Sequence, residues 1–112
     1  MDWNLIFRDD AILEINYAGK FSNDSFLRVF EQIILDPRWK PGIPILADFR
    51  EVDFNDVQFG DVLVSVNMHS QFDDYIGENK FAATYSNDNG LRLGQLYKGI
   101  SSFIVKSKIS TF

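Results

Sequence analysis

The chain has 112 residues, with sixteen acids against eleven bases (net charge −5), one histidine and no cysteine. That length suits one domain spanning residues 1–112. The missing cysteine excludes disulfides, thiolate zinc sites and cysteine nucleophiles, the lone His69 excludes a multi-histidine metal centre, and the acidic balance speaks against nucleic acid as a partner.

Leu5 and Phe7 alternate with Asn4 and Arg8, and Leu13, Ile15 and Tyr17 with Glu14 and Asn16. This period of two predicts a pair of half-buried strands joined by a tight turn at Asp9-Asp10, the second ending at Gly19. Ser22 is a candidate N-cap for a helix whose face is Phe26, Val29, Phe30, Ile33 and Ile34, and Asp36-Pro37 stops it. After Pro41-Gly42, the nearly unbroken apolar run Ile43–Phe49 predicts a central strand covered on both faces. A helix is predicted from about Asn55 or Asp56, packing Phe59, Val62, Leu63 and Val66 inward. The polar stretch Ser70–Asn79 leads to a strand at Lys80–Tyr85 and a loop at Ser86–Gly90. Leu93, Leu96, Tyr97, Ile100, Phe103 and Ile104 then form a helical stripe, and Lys108–Phe112 a last strand. The order ββαβαβαβ predicts an α/β domain with a mixed sheet covered by helices.

Nothing in the chain approaches the roughly 20 apolar residues of a membrane span. Met1-Asp2-Trp3-Asn4 has no basic leader, so a cytoplasmic protein is expected. Charge is uneven: all sixteen acids lie in residues 1–88, and beyond them stand only the bases Arg92, Lys98, Lys106 and Lys108. Such asymmetry fits solvated faces or a docking surface for an anionic partner.

Two segments carry a resemblance. Asp36-Pro37-Arg38-Trp39-Lys40-Pro41-Gly42, followed by Asp48-Phe49-Arg50 and Val52-Asp53-Phe54, resembles the SpoIIAA-like branch of the STAS superfamily, in which a similar turn feeds a buried strand ending in an Asp-x-Arg signature. Asn89-Gly90-Leu91-Arg92 through Leu96-Tyr97 is similar to that family's last core helix. The resemblance spans essentially the whole chain. It implies a STAS-like fold, of the kind found in small bacterial proteins and related in shape to Sec14-type lipid-exchange domains. Antagonists of anti-sigma factors in this superfamily carry a phosphorylatable serine after an Asp. Here Asp56 is followed by Val57, which cannot accept phosphate, so the phosphoswitch is not expected. The family pattern also adds a helix after the last strand. The sequence here runs to Phe112, which leaves the sheet face under that helix to a partner or a further segment.

Ligands of open α/β sheets bind beyond the carboxyl ends of the strands, where Asp48, Glu51, Asp53, Asp56 and Asp61 gather. A magnesium site from Asp48, Asp53 and Asp56 conflicts with strand alternation, which sends successive side chains to opposite faces. The expected arrangement is a pair of Arg50 with Asp48 or Glu51, and acids near a helix N-terminus. Asp9-Asp10, Asp48, Thr84 and Lys108 follow the order of a receiver domain, but the early hairpin puts the acid pair at the wrong end of the sheet. His69 has no signature of a nucleophile partner and is expected at a helix surface or cap. No Gly-x-Ser-x-Gly elbow, P-loop or dinucleotide fingerprint occurs.

No catalytic residue, metal or cofactor is therefore expected. The leading expectation is a non-enzymatic regulatory or binding module acting through protein contacts, as a homodimer or with another protein. The contact residues expected are Arg50, Phe54, Asn55, Asp56, Phe59, Asp88, Asn89 and Arg92. One alternative is a binder of a small apolar or lipid-like ligand, with Phe54, Phe59, Phe72 and Tyr75 lining its pocket. Another is an anion or nucleotide held by the Ser86–Gly90 helix N-terminus beside Arg92.

Overall fold

The computed structural model describes residues 1–9 and 11–112. Its elements run β1 (Asp2–Arg8), β2 (Ile12–Lys20), α1 (Asn23–Leu35), β3 (Ile45–Asp53), α2 (Phe59–Gln71), α3 (Asp73–Ile76), β4 (Lys80–Thr84), α4 (Asp88–Ser101) and β5 (Lys108–Thr111). The expected hairpin is present: β1 and β2 pair antiparallel from Asp2↔Ala18 to Arg8↔Ile12, and the Ala11 amide donates to the Arg8 carbonyl at 2.9 Å. Asp10 of the expected turn lies outside the described residues.

The sheet order is β1-β2-β3-β4-β5, parallel from β2 onward. Each parallel step moves one strand in the same direction, and right-handed crossovers then put every connecting helix on one face. Leu13, Ile15, Tyr17, Ile45, Ala47, Phe49, Phe81 and Ala83 are buried on that face against Phe26, Val29, Phe30, Ile33, Val62 and Leu93 of the helices. The intervening residues Glu14, Asn16, Leu46, Asp48, Ala82 and Thr84 are only partly buried. This corrects the expectation that β3 is covered on both faces. Its apolar run reflects one sealed face plus Leu46 on an open one.

Ser22 caps α1, its hydroxyl accepting from the Ser25 amide at 3.3 Å, and Asp36 ends the helix as expected. The second helix starts later than the sequence suggests. Gln58 is its N-cap and Asp61 accepts from the Gln58 amide at 2.9 Å, so residues 55–57 form a turn. The inward face also differs from the expected one: Val62, Ser65, Val66 and His69 are buried, while Phe59 is 56% and Leu63 43% exposed. The expectation that Phe59 and Leu63 pack inward is thus overturned. Within the stretch read as polar connection, α3 buries Ile76, a single apolar anchor that gives no periodic signal. The α4 stripe holds through Ile100, but the helix ends at Ser101 and leaves Phe103 91% exposed.

Candidate functional site

The carboxyl ends of β2, β3 and β4 converge beneath the N-termini of the helices. The β3–α2 turn is tied to α4 by Asn89, whose amide nitrogen donates to the Phe54 carbonyl at 3.3 Å, and β4's exit is tied to β3 by Ser86, whose hydroxyl donates to the Arg50 carbonyl at 2.7 Å. Under this rim lies a ladder of rings. Tyr17 stacks on Phe49 with centroids 4.6 Å apart, and Phe49 on Tyr85 at 5.5 Å. Phe54 meets Phe49 nearly edge-on at 5.8 Å and stacks on Phe21 at 5.6 Å. Gly94 of α4 makes this possible. A Cβ there would collide with the Tyr85 ring and hydroxyl, so glycine is what lets the helix lie directly on Tyr85.

Between the ladder and α4 is an apolar cavity of about 50 Å³, bordered by Phe49, Phe54, Phe81, Tyr85, Leu93 and Tyr97. Pockets that hold drug-sized ligands run from about 300 Å³ upward, so this space does not accept a lipid tail as it stands. Of the aromatics considered for such a pocket, only Phe54 borders it. Phe72 instead stacks on Phe30 at 5.5 Å, and Phe59 and Tyr75 are exposed.

A polar chain crosses the core behind the cavity, and sequence reasoning missed it. His69, expected at the surface, is 0% exposed. Its Nδ1 lies 2.6 Å from the Tyr97 hydroxyl and its Nε2 3.1 Å from Ser107 Oγ. Ser107 donates to Asn79 Oδ1, and the Asn79 amide nitrogen donates to the Ile43 carbonyl at 3.0 Å. These directions fix the tautomer. The Ser107 proton is committed to Asn79, so His69 must donate from Nε2 and accept from Tyr97 at Nδ1. The imidazole is therefore neutral, and burial drops its pKa to about 4. Both ring nitrogens are used and neither faces a substrate, so His69 holds α2, α4 and the strand ends together. Burial likewise raises the pKa of Tyr17, Tyr85 and Tyr97, keeping the phenols protonated.

The expected contact residues fall into separate places. Phe59 and Arg92 flank one groove between α2 and α4, floored by Val57, Leu93 and Leu96, and Arg92 donates to Asn89 Oδ1 at 2.9 Å. Phe54 is buried beneath that rim. Asn55 and Asp56 sit at its edge: the Asn55 amide donates to Asp53 at 2.8 Å, and Asp56 pairs with Lys20 at 2.6 Å, which pulls the Asp56 pKa below its usual value. Asp88 is exposed in the first turn of α4. Arg50 is not with the others, because it lies on the open face. There its guanidinium grips Asp48 with two bonds of 3.0 and 2.9 Å, its backbone amide adds a third at 3.0 Å and Thr84 a fourth at 3.3 Å. The arginine is the main reason the Asp48 pKa is lowered. The cluster of acids is thereby dispersed: Asp48 serves Arg50, Asp53 a turn, Asp56 a lysine and Asp61 a helix cap.

The Ser86–Gly90 segment is occupied by its own chemistry. Asn87 caps α4 through the Gly90 amide at 2.8 Å, and the carboxylate of Asp88 stands at the positive end of the helix dipole, where it opposes an anion.

No family profile and no curated protein matches the sequence. Among solved structures, the chain is similar to an uncharacterised DUF3478-family protein from Shewanella loihica PV-4 described as having a SpoIIAA-like fold. The TM-score is 0.60 at 10% identity, over 99% of this chain and 84% of that one. The fold is SpoIIAA-like. The five-stranded mixed sheet with its helices on one face is thus a shared architecture, and the expectation drawn from the Asp36–Phe54 segment is met at the level of fold.

Proposed function

We propose that this domain is a non-enzymatic binding module of the bacterial cytoplasm that works through protein contacts, with the groove between α2 and α4 as its docking surface. The observation that carries the reading is Phe59, which lines the groove and is 56% exposed, with Leu63 one turn further along α2 and 43% exposed. A half-exposed phenylalanine beside a leucine is apolar area that a partner can remove from water at about 25 cal/mol per Å². Arg92, Gln58 and Gln95 give the groove a polar rim around that centre, and aromatic and arginine anchors are the usual energetic core of protein interfaces.

A photo-reactive benzoylphenylalanine in place of Gln95 tests this. Irradiation in a bacterial extract should give a discrete adduct, either at twice the protomer mass or with one other protein, and Phe59→Asp should abolish it. No discrete adduct, or one of equal yield in Phe59→Asp, counts against the groove.

A further inference from the structure

We propose that the cavity between Tyr85 and α4 is a binding site for a small, largely apolar molecule bearing one hydrogen-bond-accepting oxygen, in the class of short-chain alcohols, aldehydes and ketones. Two features of the cavity point there, its size and its single free polar handle. At about 50 Å³ it is a fraction of the roughly 150 Å³ that admits benzene in an engineered apolar core, so its occupant has only a few heavy atoms.

The walls offer almost nothing to a water molecule, which needs two to four polar partners. The Tyr97 proton is already given to His69. The Tyr85 hydroxyl is different: among the described residues it has no hydrogen-bond partner, although buried phenols ordinarily find one. No fully sealed side-chain oxygen or nitrogen among the described residues lacks a partner, so this oxygen is not fully sealed, and both Tyr85 and the Gly94 beside its hydroxyl line the cavity. Gly94 leaves the room that this hydroxyl occupies beside α4. A protonated phenol beside aromatic walls suits a ligand that accepts one bond and buries an otherwise apolar body. Val57 and Leu93 border both this cavity and the α2–α4 groove, so the site lies directly behind the proposed docking surface yet does not depend on it.

The test uses ethanol and acetone as probes and xenon as an apolar reference, with chemical shifts followed by NMR. Both oxygen-bearing probes should give saturable shifts centred on Tyr85, Leu93 and Gly94. Tyr85→Phe should weaken them about three- to tenfold, the worth of one neutral hydrogen bond. Xenon should bind wild type and Tyr85→Phe alike, which also reports that the variant keeps its fold and cavity. Phe59→Asp, which disables the groove, should leave all three titrations intact. Absence of saturable shifts at these residues would overturn the site. Xenon binding without ethanol or acetone binding, or equal ethanol affinity in Tyr85→Phe, would overturn the ligand class.

Discussion

On one side of β3, Ala47 and Phe49 are sealed under helices, while on the other Leu46 and Asp48 are half-buried and Arg50 is exposed. The same strand, read at alternate residues, serves two kinds of physics. The sealed side gains from apolar area and joins its buried polar groups to one another, as in the Tyr97–His69–Ser107–Asn79 chain, with the Tyr85 hydroxyl as an exception. The open side can leave charges to water and holds them in local pairs, Arg8 with Glu14 and Arg50 with Asp48. The comparison teaches where this molecule keeps its stability and where it keeps its freedom to change.

Its largest consequence is at Phe49, the middle ring of the Tyr17–Phe49–Tyr85 ladder. Phe49→Ala removes two stacked contacts and leaves a hole beside an existing cavity, a change that costs about 3–5 kcal/mol in well-packed cores. Urea unfolding should show the unfolding free energy falling by that amount, as a lower midpoint with little change in slope. A loss under 1 kcal/mol would mean that the ladder is loosely packed and that the two faces differ less than their burial indicates.

His69 gives the next largest effect, and its sign follows from linkage. Folded His69 titrates near pH 4, while in the unfolded chain it titrates near its usual 6.5. Above pH 6.5 both states are neutral there and the group has no pH-dependent effect. As pH falls from 6.5 toward 4, only the unfolded state takes up the proton, so stability declines by up to about 3 kcal/mol. Denaturant midpoints measured between pH 7 and 5 should show this slope in wild type and a flatter profile in His69→Gln. That window lies above the range in which Asp36 and Asp48 act, because arginine contacts lower both carboxyl pKa values. Equal slopes in the two proteins would show that the imidazole is not sealed.

These contrasts also explain what could be read in advance. The hairpin, the α1 face, the parallel strands and the α4 stripe are periodic, and periodicity survives in a sequence because it repeats a local geometry. The start of α2 was missed because its cap is Gln58 rather than Ser, Thr, Asp or Asn, and its inward stripe was misplaced because two of its members, Ser65 and His69, are polar. The His69 chain was invisible for another reason. His69, Asn79, Tyr97 and Ser107 stand on different elements and meet only through the tertiary fold. Gly94 within the α4 stripe was a signal for the ring ladder instead. A helix-interior glycine costs about 1 kcal/mol against alanine, which hints at a close neighbour, here Tyr85. Of the proposed contacts, Phe59 and Arg92 share a groove, whereas Arg50 was grouped with them by sequence proximity although its strand position sends it to the opposite face.

The smallest expected effect tests the open face itself. Arg50 has a side chain 63% exposed, so its end of the pair with the 20% exposed Asp48 is open to solvent. Exposed pairs lose much of their attraction to water and salt. Arg50→Ala should therefore leave the neutral-pH unfolding midpoint within measurement scatter, because Asp48 can rehydrate while still accepting from Thr84. The linkage has the opposite sense to that of His69. A depressed carboxyl contributes above its ordinary pKa and loses that contribution as pH falls through the lowered value, so Arg50→Ala should be slightly less sensitive to acid than wild type. The informative failure is a large loss at neutral pH. Truncating one partner of a pair is costly only when the other is left in a dry environment. A loss comparable to that of Phe49→Ala would mean that the Asp48 face is covered in solution, and the same substitution assayed across protein concentrations would then show whether a second copy of the chain provides the cover.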